Sequence, residues 1–299
     1  MITFARLLIA GLALGGVYAL VALGFTVIYR ASRVINFAQG ELLALGAVLT
    51  AWLVANHSVP FWLAFLTGAV VTAGAGLVFQ FIVLRFAIGK PDFTIVMLTL
   101  GLATVVGAVL DAAFGEIPLP NGDPWGASVV PHTGDLGLLW VQAWTIVTAI
   151  VLLAAFWLFN KHSRYGLAMR GAAADAEAAL SVGISLRRVH AMAWVLAGLV
   201  ACVAGVFLGG YPNTVSPQIS DVALLAFPAI ILGGIDSTTG AVTGGFIIGV
   251  VQELTAGYQP QYASWLGADF YTVAPYIVMI IVLLVRPYGL FGSRPAERL

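Results

Sequence analysis

Long apolar runs cut by short polar ones dominate this chain. They cover roughly 7–29, 34–55, 61–84, 93–114, 141–159, 190–209, 222–234 and 272–285, with a further piece at 240–256. Most reach the ~20 residues with which an α-helix crosses ~30 Å of hydrocarbon. Runs of strictly alternating polarity, the mark of an outer-membrane barrel, are absent. The pattern predicts an all-α fold: a polytopic membrane helical bundle of about eight transmembrane helices plus broken or short helices, forming one membrane domain over 1–299.

Composition narrows the class. The chain is 61% hydrophobic and 9% charged with a mean hydropathy of +1.02, against about 25% charged in soluble domains. So few charges cannot cover a soluble exterior of this size, so lipid is the solvent for most of the surface. A formal net charge of zero argues against a nucleic-acid partner. The lone Cys202 rules out a disulfide framework or a cysteine-based metal site. The first apolar run, from position 7 to Tyr29, is too long for a signal-peptide core and reads as a retained span.

Charge then orients the bundle. Arg30 and Arg33, Arg85 and Lys90, the segment 161–190, and Arg286, Arg294 and Arg298 form four basic clusters. The segments between them, 56–60, 115–140 (Glu116, Asp123, Asp135), 210–221 and 257–271, carry few or no positive charges. The positive-inside rule puts the basic clusters in the cytoplasm, which leaves the N-terminus external and the C-terminus cytoplasmic. Both ends of 222–256 then lie outside, so two short helices meeting at the glycine-rich break 232–240 inside the bundle fit better than two full spans. The stretch 34–41 is a candidate counterpart of that break, and with it an internal repeat of about 1–140 and 141–299. Paired interruptions in two halves point to a transport site.

The polar residues at these breaks are the candidates for a substrate path: Asn36, Phe37, Gln39, Gly40, Glu41, Gly233, Gly234 and Asp236. At helical spacing Asn36 and Gln39 share a face. They suit a polar lining, and equally a capping box with Asn36 as N-cap and Gln39 at N3. Asp236 reads as an N-cap of the helix after it or as a gate. Glu253 is either an intramembrane acid with a function or an interfacial one, and Asp111 reads as interfacial. Four small-xxx-small pairs, Gly11/Gly15, Gly205/Gly209, Gly240/Gly244 and Gly245/Gly249, predict close helix approach.

The segment 161–190 holds Lys161, Arg164, Arg170, Arg187 and Arg188, five of the thirteen Lys and Arg of the chain. Within it Glu177-Ala178-Ala179-Leu180-Ser181-Val182-Gly183 reads as a helical turn stopped by glycine. A basic, helix-forming plug of this kind on a membrane face is a docking surface. No phosphate-binding Gly-x-x-x-x-Gly-Lys-Ser/Thr loop, nucleophile elbow or metal-spaced histidines occur in the sequence.

Residues 15–29 (GGVYALVALGFTVIY) with 34–41 (VINFAQGE) resemble the opening of the branched-chain amino acid permeases of ATP-binding cassette (ABC) importers, the LivH type. Residues 164–170 (RYGLAMR) through Glu177-Ala178-Ala179 and Gly183-Ile184 resemble their ATPase-contacting loop. Ile231-Leu232-Gly233-Gly234-Ile235 with Gly240-Ala241-Val242 and Gly244-Gly245 resembles their late glycine-rich hairpin. The resemblance implies an ABC importer permease fold in a bacterial cytoplasmic membrane, paired with a second, LivM-like permease and two ATPases. An external solute-binding protein would supply the solute, and the long 115–140 segment could receive it. ATP and Mg would sit on the partner subunits, with no cofactor on this chain. Arg170, Asp175, Glu177, Ala178, Ala179 and Gly183 become the coupling residues. The implied solutes are branched-chain or other hydrophobic amino acids, with urea or short amides as the alternative. Where the family's opening motif usually has histidine, this chain has Gln39, so no titrating role carries over there. An autonomous carrier or a membrane-embedded enzyme is the rival class; the coupling-type loop speaks against the first, the lack of a nucleophile or metal-ligand cluster against the second.

Overall fold

The computed structural model describes residues 2–33, 35–87, 91–115, 118–125, 127–131, 137–210 and 212–292. Lys90, Glu116, Asp135, Arg294 and Arg298 of the charge pattern lie outside the described residues. The helices are α1 (Ile2–Ser32), α2 (Gln39–His57), α3 (Phe61–Ala87), α4 (Asp92–Phe114), α5 (Trp140–His162), α6 (Arg164–Ala174), α7 (Ala176–Ser181), α8 (Leu186–Leu208), α9 (Val222–Leu225), α10 (Phe227–Gly233), α11 (Thr238–Tyr262) and α12 (Phe270–Val285). A 3-10 turn, Pro217–Asp221, precedes α9. Six helices, α1–α5 and α8, are long and apolar enough to cross a membrane, and 217–233 and α12 are shorter apolar pieces. Among the described residues extended pairing is limited to two isolated bridges, Leu119 with Val215 and Val129 with Leu139.

The centre is α1. Every residue from Gly15 to Ile28 is buried, which only a helix apolar around its whole circumference allows. Glycines set how closely its neighbours come. On one side α11 runs antiparallel, with Gly11 and Gly15 lying against Val250 and Phe246 so tightly that a Cβ on them would stand 2.7 and 2.8 Å from those Cα atoms. Gly245 and Gly249 present bare backbone to Ala19 and Gly15 in return. The other pairs are used as well: Gly240 and Gly244 meet Gly233 and Ala229, Gly205 meets Leu43, and Gly209 meets Val215. Cys202 is buried against Gly46 of α2 and Gly68 of α3, unpaired. The outer surfaces of α4, α5 and α12 are apolar and exposed, with Phe93, Val105, Val147, Val151, Ile281 and Leu284 pointing away from the bundle, as lipid or another membrane subunit requires.

Two expectations need correction. The helix expected from position 34 begins at Gln39, so Asn36 is not in it. The 222–256 segment does not break at mid-depth at its glycines; it kinks earlier, at Ala226. Its glycine turn lies at the end of the bundle that carries Arg30 and Arg170, because Asp236 sits within electrostatic reach of Arg30 and Thr238 shares a cleft with Arg30, Asn160 and Arg170. The chain after α12 straps this turn, Leu290 N–H donating to Leu232 C=O at 2.8 Å and Phe291 N–H to Gly233 C=O at 3.0 Å. The second arm is also a full helix of 25 residues, about 37 Å long. Hydropathy ends it early because Gln252, Glu253 and Gln259 sit in its last turns. Gln259 nonetheless keeps the helix end satisfied, donating to Ala263 C=O and Gly267 C=O at 2.9 and 3.0 Å.

Candidate functional site

Two places combine polar chemistry with interrupted helices. The first is a junction in the middle of the bundle. After α1, Arg33 takes a left-handed conformation (φ 57°) and the chain turns back into the protein. Asn36 is buried and holds this turn, its Oδ1 accepting from Ala38 N–H at 3.1 Å and its carbonyl from Gln39 N–H at 3.1 Å. The expected capping box does not form: the N-cap position is Ala38, without a side-chain cap. Gln39, fully buried, sends its Nε2 to Ala197 C=O at 3.2 Å. Ala197 is the central residue of α8, so α2 starts halfway through the bundle. Gly24 of α1 makes the room, since a Cβ there would overlap the Gln39 amide.

The interruption facing this turn is 217–228, not 232–240. Gly40 lies against the carbonyl of Ser220, 2.5 Å from where its Cβ would stand. Phe37 stacks on Phe227 at 5.8 Å, and Phe25 meets Phe227 edge-on at 6.0 Å. Pro228, near the start of α10, lacks the N–H that would continue α9 and so fixes the kink at Ala226. Gly233, Gly234 and Asp236 are therefore separated from Asn36, Phe37, Gln39 and Gly40. Ser237, not Asp236, caps α11, its Oγ accepting from Gly240 N–H at 3.0 Å.

Outward from the junction the polarity becomes acidic. Glu41 is half-buried beside Gly107 of α4 and hydrogen-bonds Ser220, with Asp111 and Asp221 in electrostatic reach. Ser220, Asp221 and Phe227 were not singled out in the sequence. The pair Pro217 and Pro228 bracketing Gln218, Ser220 and Asp221 is the signal that could have found them; their position after a poorly charged loop made them look external.

The second place is the basic end, where 161–190 folds into α6 and α7. Ser163 caps α6, its Oγ accepting from Gly166 N–H at 2.8 Å. Asp175 caps α7, its Oδ1 accepting from Glu177 N–H and Ala178 N–H, both at 3.0 Å. The helix ends as the sequence predicts: Gly183 is left-handed (φ 84°), its N–H donates to Leu180 C=O at 3.0 Å, and Ile184 N–H reaches back to Ala179 C=O at 2.9 Å. That pair of bonds is a Schellman stop. Ala179 and Ile184 turn inward onto a cluster with Met169, Ala172, Val189 and the α1 residues Leu23, Val27 and Ala31. Glu177, Ala178, Leu180 and Val182 turn outward, Leu180 55% and Val182 75% exposed. Arg170 is exposed and donates to Lys161 C=O at 3.3 Å, and Arg33 ties α1 to α6 through Ala173 C=O at 3.4 Å.

Comparison with known proteins accords with this architecture. The family described as "Branched-chain amino acid transport system / permease component" matches residues 7–283. The chain is 30% identical to the high-affinity branched-chain amino acid transport system permease protein LivH of Escherichia coli K12, covering 99% of this chain and 97% of that one. It is 29% identical to the permease protein BraD of Pseudomonas aeruginosa, over 97% of this chain and 96% of that one. Against the permease protein LivM of E. coli K12 the identity is 24%, over 95% and 70%. A chain of the solved structure "PsaBC from Streptococcus pneumoniae in complex with Fab" shares the fold at a TM-score of 0.51 with 14% identity, covering 95% of this chain and 92% of that one. A bundle centred on α1, with interrupted helices at mid-depth and a capped helix pair at its basic end, is a multi-pass membrane protein, and the chain belongs to the branched-chain amino acid transport permease family.

Proposed function

We propose that this chain is one of two membrane subunits of an ATP-driven importer for branched-chain or other hydrophobic amino acids in a bacterial cytoplasmic membrane. The observation that carries the reading is α7: a six-residue helix capped at both ends, packed on its inner side and exposing Leu180 and the C-cap residue Val182. Exposed Leu180 and Val182 beside Glu177 suit a partner surface better than water. In this reading the basic end is cytoplasmic, α7 seats in an ATPase, and ATP with Mg is held by two such partners. A second, LivM-like permease covers the face that carries Glu41, Ser220 and Asp221, where acidic groups beside apolar helices are costly against lipid. An external binding protein delivers the solute.

The junction is the proposed path. α7 packs on α6, whose Met169 and Ala172 share a buried cluster with Leu23 and Val27 of α1, within a turn of Gly24, against which Gln39 rests. Movement of α7 therefore reaches Gln39 through α6 and then α1. Reconstitution in liposomes with the co-purifying subunits tests the function: labelled leucine supplied outside with the binding protein should enter only when ATP is enclosed in the lumen, on the face of the ATPases. Uptake without any ATPase would replace the reading with an autonomous carrier.

Gln39→Leu removes the hydrogen bond to Ala197 while keeping an apolar side chain of similar length. Leucine uptake is expected to fall at least about fivefold, as loss of one buried hydrogen bond allows, with the ATPases still bound in pull-down. Normal uptake in Gln39→Leu would reduce the residue to a packing role.

A further inference from the structure

At the end of the bundle opposite the basic segments, a cavity of about 250 Å³ opens between α1, α5, α8 and α11. At ~30 Å³ per water, that is room for a small molecule. Leu14 and Val17 form its wall on α1 and Phe207 its wall on α8. Gln142 of α5, Asn213 of the turn after α8, and Glu253 of α11 bring polarity into it. Exposed Asn213 stands at the rim.

Glu253 is the unusual member. It is half-buried and has no hydrogen-bond or ion-pair partner among the described residues. A carboxylate held among membrane helices without a counter-charge is costly, and such groups mark places where a ligand or ion supplies the missing partner. Its neighbour Gln252 is engaged elsewhere, accepting from Tyr18 O–H at 2.7 Å inside the α1–α11 seam. Gln142 receives Leu139 N–H on its Oε1 at 3.3 Å, so the polar group it can still offer the cavity it lines is its amide NH2, a donor. One wall thus can accept a cation, another can donate hydrogen bonds, and apart from Thr145 and the rim the rest is aliphatic or aromatic.

We propose that this cavity binds a small primary amine with an apolar substituent. Glu253 takes the ammonium group, Leu14, Val17 and Phe207 receive the apolar part, and Gln142 donates to an acceptor carried beside the amine. An α-amino acid with an aliphatic side chain has all three features, but the site is separate from the Gln39 junction and its occupancy needs no ATP. Failure of the importer reading would appear in uptake, not in this binding.

The test is calorimetric titration of the full-length chain, with its co-purifying subunits, in lipid nanodiscs. Isoamylamine is expected to bind saturably and isocaproate, the same skeleton with an acid in place of the amine, is not. Glu253→Gln should weaken isoamylamine about tenfold or more, the scale of a charge-assisted contact, and Asn213→Trp, which plugs the rim and leaves Glu253 in place, should abolish binding. Absence of saturable isoamylamine binding to the unaltered protein, equal binding of isocaproate, or unchanged affinity in Glu253→Gln would each overturn the proposal. Should Glu253→Gln fold poorly, the rim variant decides: full affinity in Asn213→Trp places the amine elsewhere.

Discussion

Gly249→Leu is expected to leave no folded bundle. Gly249 meets the backbone nitrogen and Cα of Gly15 directly, and the carbonyl of Gly11 lies 2.7 Å from where its Cβ would stand. No flexible side chain can yield there, since the obstacle is the backbone of α1. Nor can α1 retreat, because it is buried on every side from Gly15 to Ile28 and its Gly24 rests on the amide of Gln39. Inserting methylenes into a packed core costs about 1–3 kcal/mol when neighbours can adjust. Here two helices must separate along their length, which consumes most of the 5–15 kcal/mol that typically holds a protein together. Gel filtration and thermal melting in detergent should show aggregated protein without a cooperative transition. Gly74→Leu on α3, where an added Cβ meets nothing within 4 Å, should elute and melt like the unaltered chain. A monodisperse Gly249→Leu with an unchanged melting temperature would mean that α1 and α11 are not packed through glycine.

The glycine pairs illustrate how far the sequence could be read. Their spacing announces close helix approach, and three of the four pairs make it while Gly209 ends α8 and meets the loop residue Val215, but spacing cannot say that Gly15 faces Gly249 while Gly240 folds back on Gly233. That choice is made by the tertiary arrangement of α1, α10 and α11. Hydropathy located the spans for a similarly direct reason: lipid demands a continuous apolar helix. It failed where the chain leaves lipid contact. Buried Asn36 and Gln39 sit in a turn held by α8, and 217–228 is a bent segment whose polar groups are met by protein. Apolar content points to a helix for the first, and the charge pattern puts the second in part in an external loop. N-caps were not legible: Asp175, expected only as a coupling residue, turns out to cap α7, and of the adjacent Asp236 and Ser237 the hydroxyl took the position.

The second large effect is expected at α7, and it falls on transport, not on folding. Gly183→Pro cannot adopt the native backbone, because proline holds φ near −65° and Gly183 stands at 84°. It also removes the N–H that donates to Leu180 C=O, and the misdirected chain pulls Ile184 off Ala179. The end of α7 is thereby unmade, yet the change is exposed and far from the seam between α1 and α11. ATP-dependent leucine uptake in reconstituted liposomes should drop to background while the melting temperature of the chain shifts by no more than a few degrees. Asp175→Ala should act in the same direction more mildly, at about 1 kcal/mol for a lost N-cap. Glu177→Lys separates docking from helix stability: only the backbone of Glu177 is bound by Asp175, and its side chain is exposed, so the helix survives with its outer charge reversed. Uptake should fall at least about tenfold with no change in melting, since a repelled charge at a buried contact costs the ~1.4 kcal/mol that a factor of ten represents. ATP hydrolysis continuing without uptake would place the loss at the coupling step itself. Normal uptake in both Gly183→Pro and Glu177→Lys would remove α7 from the mechanism and leave its exposed Leu180 and Val182 without a partner.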